Sequence, residues 1–503
     1  MSDSPPSVGG ALTAAGRVLL DRPAAVLPAY LLALGVLPAA RVPLLTAAGV
    51  AVALLARAGR IEPVAEAYVD AQRAADDESI VSGGTLPPEL TEAAAGLATP
   101  TVGALLVAGL LGAVVVALLG RGVAAAITHE TVLAALNGRD DPLAAGVAGA
   151  ARWRTFLGLT LLRGALPVAG LGVAVVAAVG LAATGTAVGV VAGVLVALLG
   201  VLFAVAVAFL LAFAPAAVVV DDVGVGGAVR GSVGFIRRRP VRAVAYALIA
   251  AGAVVAAGVA AAALNVAAAG RVVGVAVPLL LTPVLDAFVV ALYGDASLPA
   301  ADRSSARSRV ASAVADGCRA LAGFVRGHVA ATVAAAAVLV AGLAAGYGLT
   351  APYDVRLPVP DDVAGTFGAV PVGPFVTIAA NNWLVGVSGA FGGLAFGVPA
   401  VTGLVFNGAL IGALAGIYDR TAFLALVAPH GVVELPALAV SAAVGLHLGA
   451  VGWRAVRGRT TAAAVADELR RATRVFVGLA VVFVAAAFVE AFVTPRVAAL
   501  VLG

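Results

Sequence analysis

Three apolar runs limit this chain more than any other feature. Thr101–Gly120, Thr186–Val220 and Val329–Thr350 each pass the roughly 18–20 residues that span a bilayer's hydrocarbon core as a helix, without one charged residue. Inside hydrocarbon no water satisfies a backbone group, so each segment must bond within itself, and the expected fold class is all-α and polytopic. Composition agrees, because 62% of the 503 residues are hydrophobic and 12% charged, about half the charge of an ordinary soluble domain. A soluble enzyme is excluded.

Crossings are expected at about 101–120, 158–181, 187–218, 243–268, 272–293, 329–350, 374–394, 399–417, 434–452 and 475–493. A less regular pair within 23–57 brings the total to about twelve, although Pro28, Pro38 and Pro43 leave open whether that stretch crosses once or twice. Arginine orients the rest, since no lysine occurs. Segments 121–155, 221–242, 294–328 and 453–474 hold four, five, five and six Arg and are assigned to the cytoplasmic side. Segment 58–100 has two Arg against eight acidic residues, and 351–373 has Arg356 against Asp354, Asp361 and Asp362, so both are expected outside, as is the C-terminus. Asp3, Arg17, Asp21 and Arg22 ahead of Pro23, with no clear cleavage site, argue against a removable signal peptide.

The formal charge of +4 and pI near 9.6 are read as topology rather than nucleic-acid binding. Cys318 is the lone cysteine, which excludes an intrachain disulfide and a Cys-rich metal site. The chain divides near residue 300 into an N-terminal multi-helix membrane domain (1–300), a basic amphipathic connector (301–328) and a five-helix domain (329–503). In the connector Val310, Val314, Leu321, Phe324 and Val325 share a face apart from Arg303, Arg307, Arg309, Arg319 and Arg326, a pattern suited to the cytoplasmic membrane surface.

The run His430-Gly431-Val432-Val433-Glu434-Leu435-Pro436-Ala437-Leu438, after Pro429, places His and Glu in an apolar setting where both are costly. With Asn381-Asn382, Asn407-Gly408 and the Gly-rich crossings between them, it resembles the family of stage II sporulation protein M over roughly residues 305–503. Nothing comparable occurs in 1–300. The resemblance implies a non-enzymatic membrane protein with protein partners, since family members in spore-forming bacteria anchor cell-wall-degrading proteins, while many relatives occur in prokaryotes that never sporulate.

The residues also have a physical reading of their own. Gly389, Gly393 and Gly397, and likewise Gly408, Gly412 and Gly416, are spaced by four, so each series is expected to form a stripe and the two helices to pack closely on each other. Gly185, Gly189 and Gly193 repeat the device; packing within the chain is favoured over a homo-oligomer interface. Asn381, Asn382 and Asn407 read as helix–helix glue or as the lining of a polar cavity. His430 and Glu434 can share a helical face as a hydrogen-bonded pair or as two metal ligands; alternatively Pro429 and Gly431 put His430 in a turn, with Pro436 in the first turn of the next helix. His447, 13 residues beyond Glu434 and so roughly 20 Å along a helix, cannot share an ion with it.

Arg163, Asp286 and Glu490 are the remaining intramembrane charges; Arg163 with Asp286 would make a neutral pair, and Glu490 lies near the outer interface. Neither a nucleotide-binding nor a hydrolase motif is present, and no cofactor or metal is expected. The leading expectation is a non-catalytic scaffold in the cell membrane, in contact with lipid and with other membrane or envelope proteins. A transporter with a polar path near Asn381, Asn382, Asn407, His430 and Glu434 is the alternative. An intramembrane metal hydrolase ranks third and requires at least three ligand-type side chains at one point, with Asp419 or Glu490 as the available additions.

Overall fold

The computed structural model describes residues 7–74, 86–266, 268–295, 306–353, 355, 357 and 371–502. Regular structure among them is helical throughout. The chain opens with α1 (Val8–Asp21), α2 (Pro23–Leu34), α3 (Val36–Arg57), α4 (Glu62–Ala74), α5 (Pro88–Ala95), α6 (Pro100–Leu136) and α7 (Pro142–Gly149). The hairpin of α8 (Trp153–Ala182) and α9 (Ala187–Leu210) leads to α10 (Ala214–Val220), α11 (Val225–Arg238), α12 (Pro240–Val266), α13 (Arg271–Ala276) and α14 (Thr282–Gly294). After α15 (Ala306–Gly327) come α16 (Val329–Thr350), α17 (Val372–Gly392), α18 (Val398–Ile417), α19 (Arg420–Val456), α20 (Ala462–Phe488) and α21 (Thr494–Leu502).

Ten of the described helical segments are long and apolar enough to cross a membrane, against the roughly twelve crossings expected. Two differences account for the count. Pro23–Arg57 forms a single candidate span, divided at Gly35 into α2 and α3, and α17 carries Asn381 and Asn382, which leave it less apolar than the ten. Helix starts follow local chemistry: Thr99, Asp141, Asp419 and Thr461 each accept a hydrogen bond from the first turn, and Pro100 and Pro142 open α6 and α7 where no N–H is required.

Two apolar cores hold the bundle. One lies in the N-terminal part and gathers Tyr30, Phe156, Phe213, Phe235 and Phe288 with the small residues of α1 and α10. The other unites Ala29, Leu31, Leu32, Ile127 and Leu143 with Phe391, Leu448, Phe476 and Phe483, so packing runs across residue 300. On the outside, α9 and α12 present valines such as Val188 and Val241, each 79% exposed in the isolated chain, and α12 buries Ala243 alone. These faces meet lipid.

The connector is more embedded than its amphipathic pattern suggests. Leu321, Phe324 and Val325 pack against the second core, and Gly317 lies against the backbone of Gly478 in α20, while Val310 and Val314 stay exposed. Residues 75–85 and 296–305, with Arg303, and Asp354, Arg356, Asp361 and Asp362 lie outside the described residues. Arg121 is not in a loop but within α6. Ion pairs join the Arg-rich segments to one another: Arg152 to Asp222 at 2.6 Å, Arg239 to Asp295 at 2.8 Å, and Arg470 to Asp141.

Candidate functional site

The site is built on α19, which Asp419 caps by accepting from the Thr421 and Ala422 N–H groups at 2.8 and 3.0 Å. The helix then runs unbroken through Pro429 and Pro436. Of the two alternatives the shared helical face is realised and the turn at Pro429–Gly431 does not form, because packing of neighbouring helices holds a proline-containing membrane helix that would break in water. His430 and Glu434 therefore stand one turn apart on one face.

The third member comes from the end of the chain. Between α20 and α21 the residues Val489–Val493 form a wide π-helical turn, and Pro495 follows it at the second position of α21. A proline there removes one helical bond and crowds the carbonyl four residues back, which the wider turn relieves. Glu490 sits in that turn. One ligand-type atom each of His430, Glu434 and Glu490 lie within 4.8 Å of one another, all three side chains being half-buried. Glu490 is thus brought beside His430 and Glu434. His430 and Glu434 make no direct hydrogen bond; the His430 Nδ1 instead stands 3.5 Å from the Thr494 hydroxyl. Among the described residues neither carboxylate has a basic side chain within ion-pair distance.

The other residues singled out go elsewhere. The Asn381 amide donates to the Asn382 side-chain oxygen at 3.2 Å, and Asn407 donates to the Gly403 carbonyl of its own helix at 2.8 Å. The hydrogen bond between α17 and α20 comes from Trp383, whose Nε1 donates to the Phe476 carbonyl at 3.0 Å. Asn407 lines a cavity of about 40 Å³ with Gly386, Leu404 and Ser441, and a larger groove of about 430 Å³ with Arg41, Ser388 and Thr402. Gly408 and Gly412 form a close stripe, but against Leu339 and Leu343 of α16 and not against α17. Gly342 and Gly346 of α16 face them, a spacing of four that the sequence also carries. Gly389, Gly393 and Gly397 make no stripe: α17 ends at Gly392, Gly389 faces open space, and Gly397 takes a φ of +78° in the turn before α18. Gly431 and Pro436 lie inside α19.

The Arg163–Asp286 pair does not form. Arg163 lies on the exposed face of α8, while Asp286 accepts from the Tyr30 hydroxyl at 2.9 Å and stands 3.8 Å from His129 Nε2. Tyr30 and His129 carried no signal beyond being an aromatic and a histidine in apolar helices. A further group links three helices near the Arg-rich end: His447 Nε2 lies 3.1 Å from Glu468, its ring meets His328 edge-on at 4.8 Å, and both line a cavity of about 400 Å³ with Phe324, Arg471 and Arg474. Glu468 lies outside the Glu434 site, as the helical distance to His447 requires. Outside the membrane-spanning segments, burial alone would raise the Asp141 carboxyl, but the Ala144 N–H and the Arg470 guanidinium outweigh it and hold the group below the usual carboxylate range.

Comparison with known proteins addresses the C-terminal part. The family model for Stage II sporulation protein M matches residues 330–495. The resemblance carried by His430–Leu438 stands. The SpoIIM-like part takes in α17 to α20 and nearly all of α16, and it contains all three residues of the cluster, whereas α15 precedes it. The chain is also 26% identical over 129 residues to an uncharacterized protein of Methanocaldococcus jannaschii, a stretch covering 25% of this chain and 72% of that one. No solved structure matches.

Proposed function

We propose that this integral membrane protein is a non-catalytic, multi-pass scaffold that organises partner membrane or envelope proteins through its SpoIIM-like bundle. The observation carrying this reading is how the bundle spends its polar and small residues. Gly408 and Gly412 meet the α16 backbone directly, Asn407 bonds within its own helix, and the cavity it shares with Gly386 and Ser441 is about 40 Å³, room for a few waters. A close α16–α18 seam suits a platform, and the groove of about 430 Å³ that Asn407 also lines is where a solute path would have to run. The family resemblance supports protein partners in the same sense.

In this reading the linked segments 121–155, 221–242, 294–328 and 453–474 face the cytoplasm of the cell membrane, as their arginine content favours. The test is purification of the tagged protein from native membranes in mild detergent, with mass spectrometry of what accompanies it. Reproducible co-purifying membrane or envelope proteins, lost when Gly412→Leu disturbs the α16–α18 seam, are expected. Folded protein recovered alone, together with solute flux in reconstituted liposomes, overturns the scaffold in favour of a transporter.

A further inference from the structure

We propose that His430, Glu434 and Glu490 bind one divalent transition-metal ion of the zinc type, which fastens α19 to the turn ahead of α21. The donor set is one imidazole and two carboxylates, with the ligand atoms within 4.8 Å of one another. A tetrahedral ion with bonds of about 2.0–2.2 Å holds its donors roughly 3.3–3.6 Å apart, so the three side chains need close in by only about 1 Å. Two donors come from one face of a helix and the third from a different element, the arrangement by which bundle metal sites are built.

Charge gives an independent reason. Glu434 and Glu490 lie in helices that cross the membrane, and no basic side chain reaches either within ion-pair distance among the described residues. A doubly charged cation neutralises two carboxylates at one point without a third helix. The π-helical turn adds another, because such turns interrupt regular helices at a cost and concentrate where a side chain must be placed for function. The Thr494 hydroxyl stands 3.5 Å from Nδ1, a position from which it would orient the ring if Nε2 is the ligand atom.

Ligand chemistry selects the ion. Calcium takes six to eight oxygens and magnesium an octahedron of oxygens and water, so one nitrogen and two carboxylates suit neither. Zinc accepts N and O donors in a four-coordinate sphere whose last position here is left for water or a hydroxyl. The ion is assigned no reaction and no partner, although three ligands at one point are also what the hydrolase alternative requires, so titration with zinc tests metal binding and leaves the scaffold to its own experiment.

The experiment uses the full-length protein in detergent, purified without a polyhistidine tag, stripped with chelator and titrated with zinc(II), then with manganese(II), against excess magnesium. About one zinc per chain is expected, with magnesium unable to displace it. Glu490→Gln and His430→Gln should each weaken binding at least roughly tenfold, since loss of even an outer-shell partner costs about that much. His447→Ala, which removes the imidazole paired with Glu468, should keep the ion. X-ray absorption at the zinc edge of the wild type should give a first shell of nitrogen and oxygen with no sulfur, a readout that does not depend on any variant folding. No stoichiometric uptake by the wild type, wild-type affinity in folded Glu490→Gln, or loss of the ion in His447→Ala each overturns the proposal.

Discussion

The Tyr30 hydroxyl donates to the Asp286 carboxylate at 2.9 Å, tying α2 to α14 across 256 positions of chain. His129 of α6 closes on the same carboxylate, so three helices meet at one polar point beside the N-terminal core. Tyr30→Phe removes one bond between membrane helices and should cost about 1 kcal/mol, while Asp286→Ala strands both partners and should cost about 2–3 kcal/mol. Arg163→Ala, on the exposed face of α8, should stay within about 0.5 kcal/mol. Denaturant titration in mixed micelles measures all three, and an Arg163 effect matching that of Asp286 would restore the pairing expected from charge alone.

Close approach of backbones makes a second prediction. A methyl group at Gly408 would stand 2.6 Å from the Leu339 carbonyl oxygen, an atom that cannot move without shifting α16, whereas at Gly389 it would meet nothing within 4 Å. Gly408→Ala should therefore lose about 1–3 kcal/mol by overpacking, and Gly389→Ala should be neutral or slightly stabilising. The same micelle titration checks the pair. Equal effects at the two sites would mean that α16 and α18 are not in backbone contact.

These glycines also show what was legible before the structure. A spacing of four identifies a helix made for close packing, and it did so for Gly408 and Gly412, but a stripe does not name its partner. The partner depends on chain topology, and α16 rather than α17 supplies the facing glycines. The Gly389–Gly397 series failed for a local reason: the helix ends at Gly392, so the spacing had no helix to act through. Apolar run length placed the long helices because hydrocarbon leaves the backbone no other choice. Local propensity left a turn open at Pro429 and Gly431, where neighbouring helices decide for the helix. Glu490 was conspicuous as a charge in an apolar segment, yet its convergence with His430 depends on a helical irregularity that no period in the sequence announces.

Acid should weaken the contact between Arg470 and Asp141. The folded-state carboxyl of Asp141 is held below its ordinary value, with burial opposing and the Ala144 N–H and Arg470 prevailing. A depressed carboxyl contributes stability that is fully present above the unfolded value of about 4 and is lost as pH falls through the lower folded value. The difference in stability between wild type and Arg470→Gln should accordingly be constant from neutral pH to about 5 and shrink below about 4. Because Asp141 is partly exposed, raised salt should shrink the difference as well. A difference that grows on acidification would show that the pair does not set the protonation of Asp141.

Orientation can be read from a side chain already in place. Cys318 is the lone cysteine, exposed on α15 within the Arg-rich segment 294–328, so a membrane-impermeant maleimide reports the side of that segment without any engineered site. Because Gly317 beside it is fixed against Gly478 of α20, the label also reports the side of segment 453–474. The arginine content of both predicts labelling in inverted vesicles and none in intact cells until the membrane is permeabilised. Labelling in intact cells would turn all four linked segments outward, and with them the acidic loops 58–100 and 351–373 inward. The His430–Glu434–Glu490 cluster, toward the opposite end of α19 and α20 from these arginines, would then draw its ion from the cytoplasm instead of from outside.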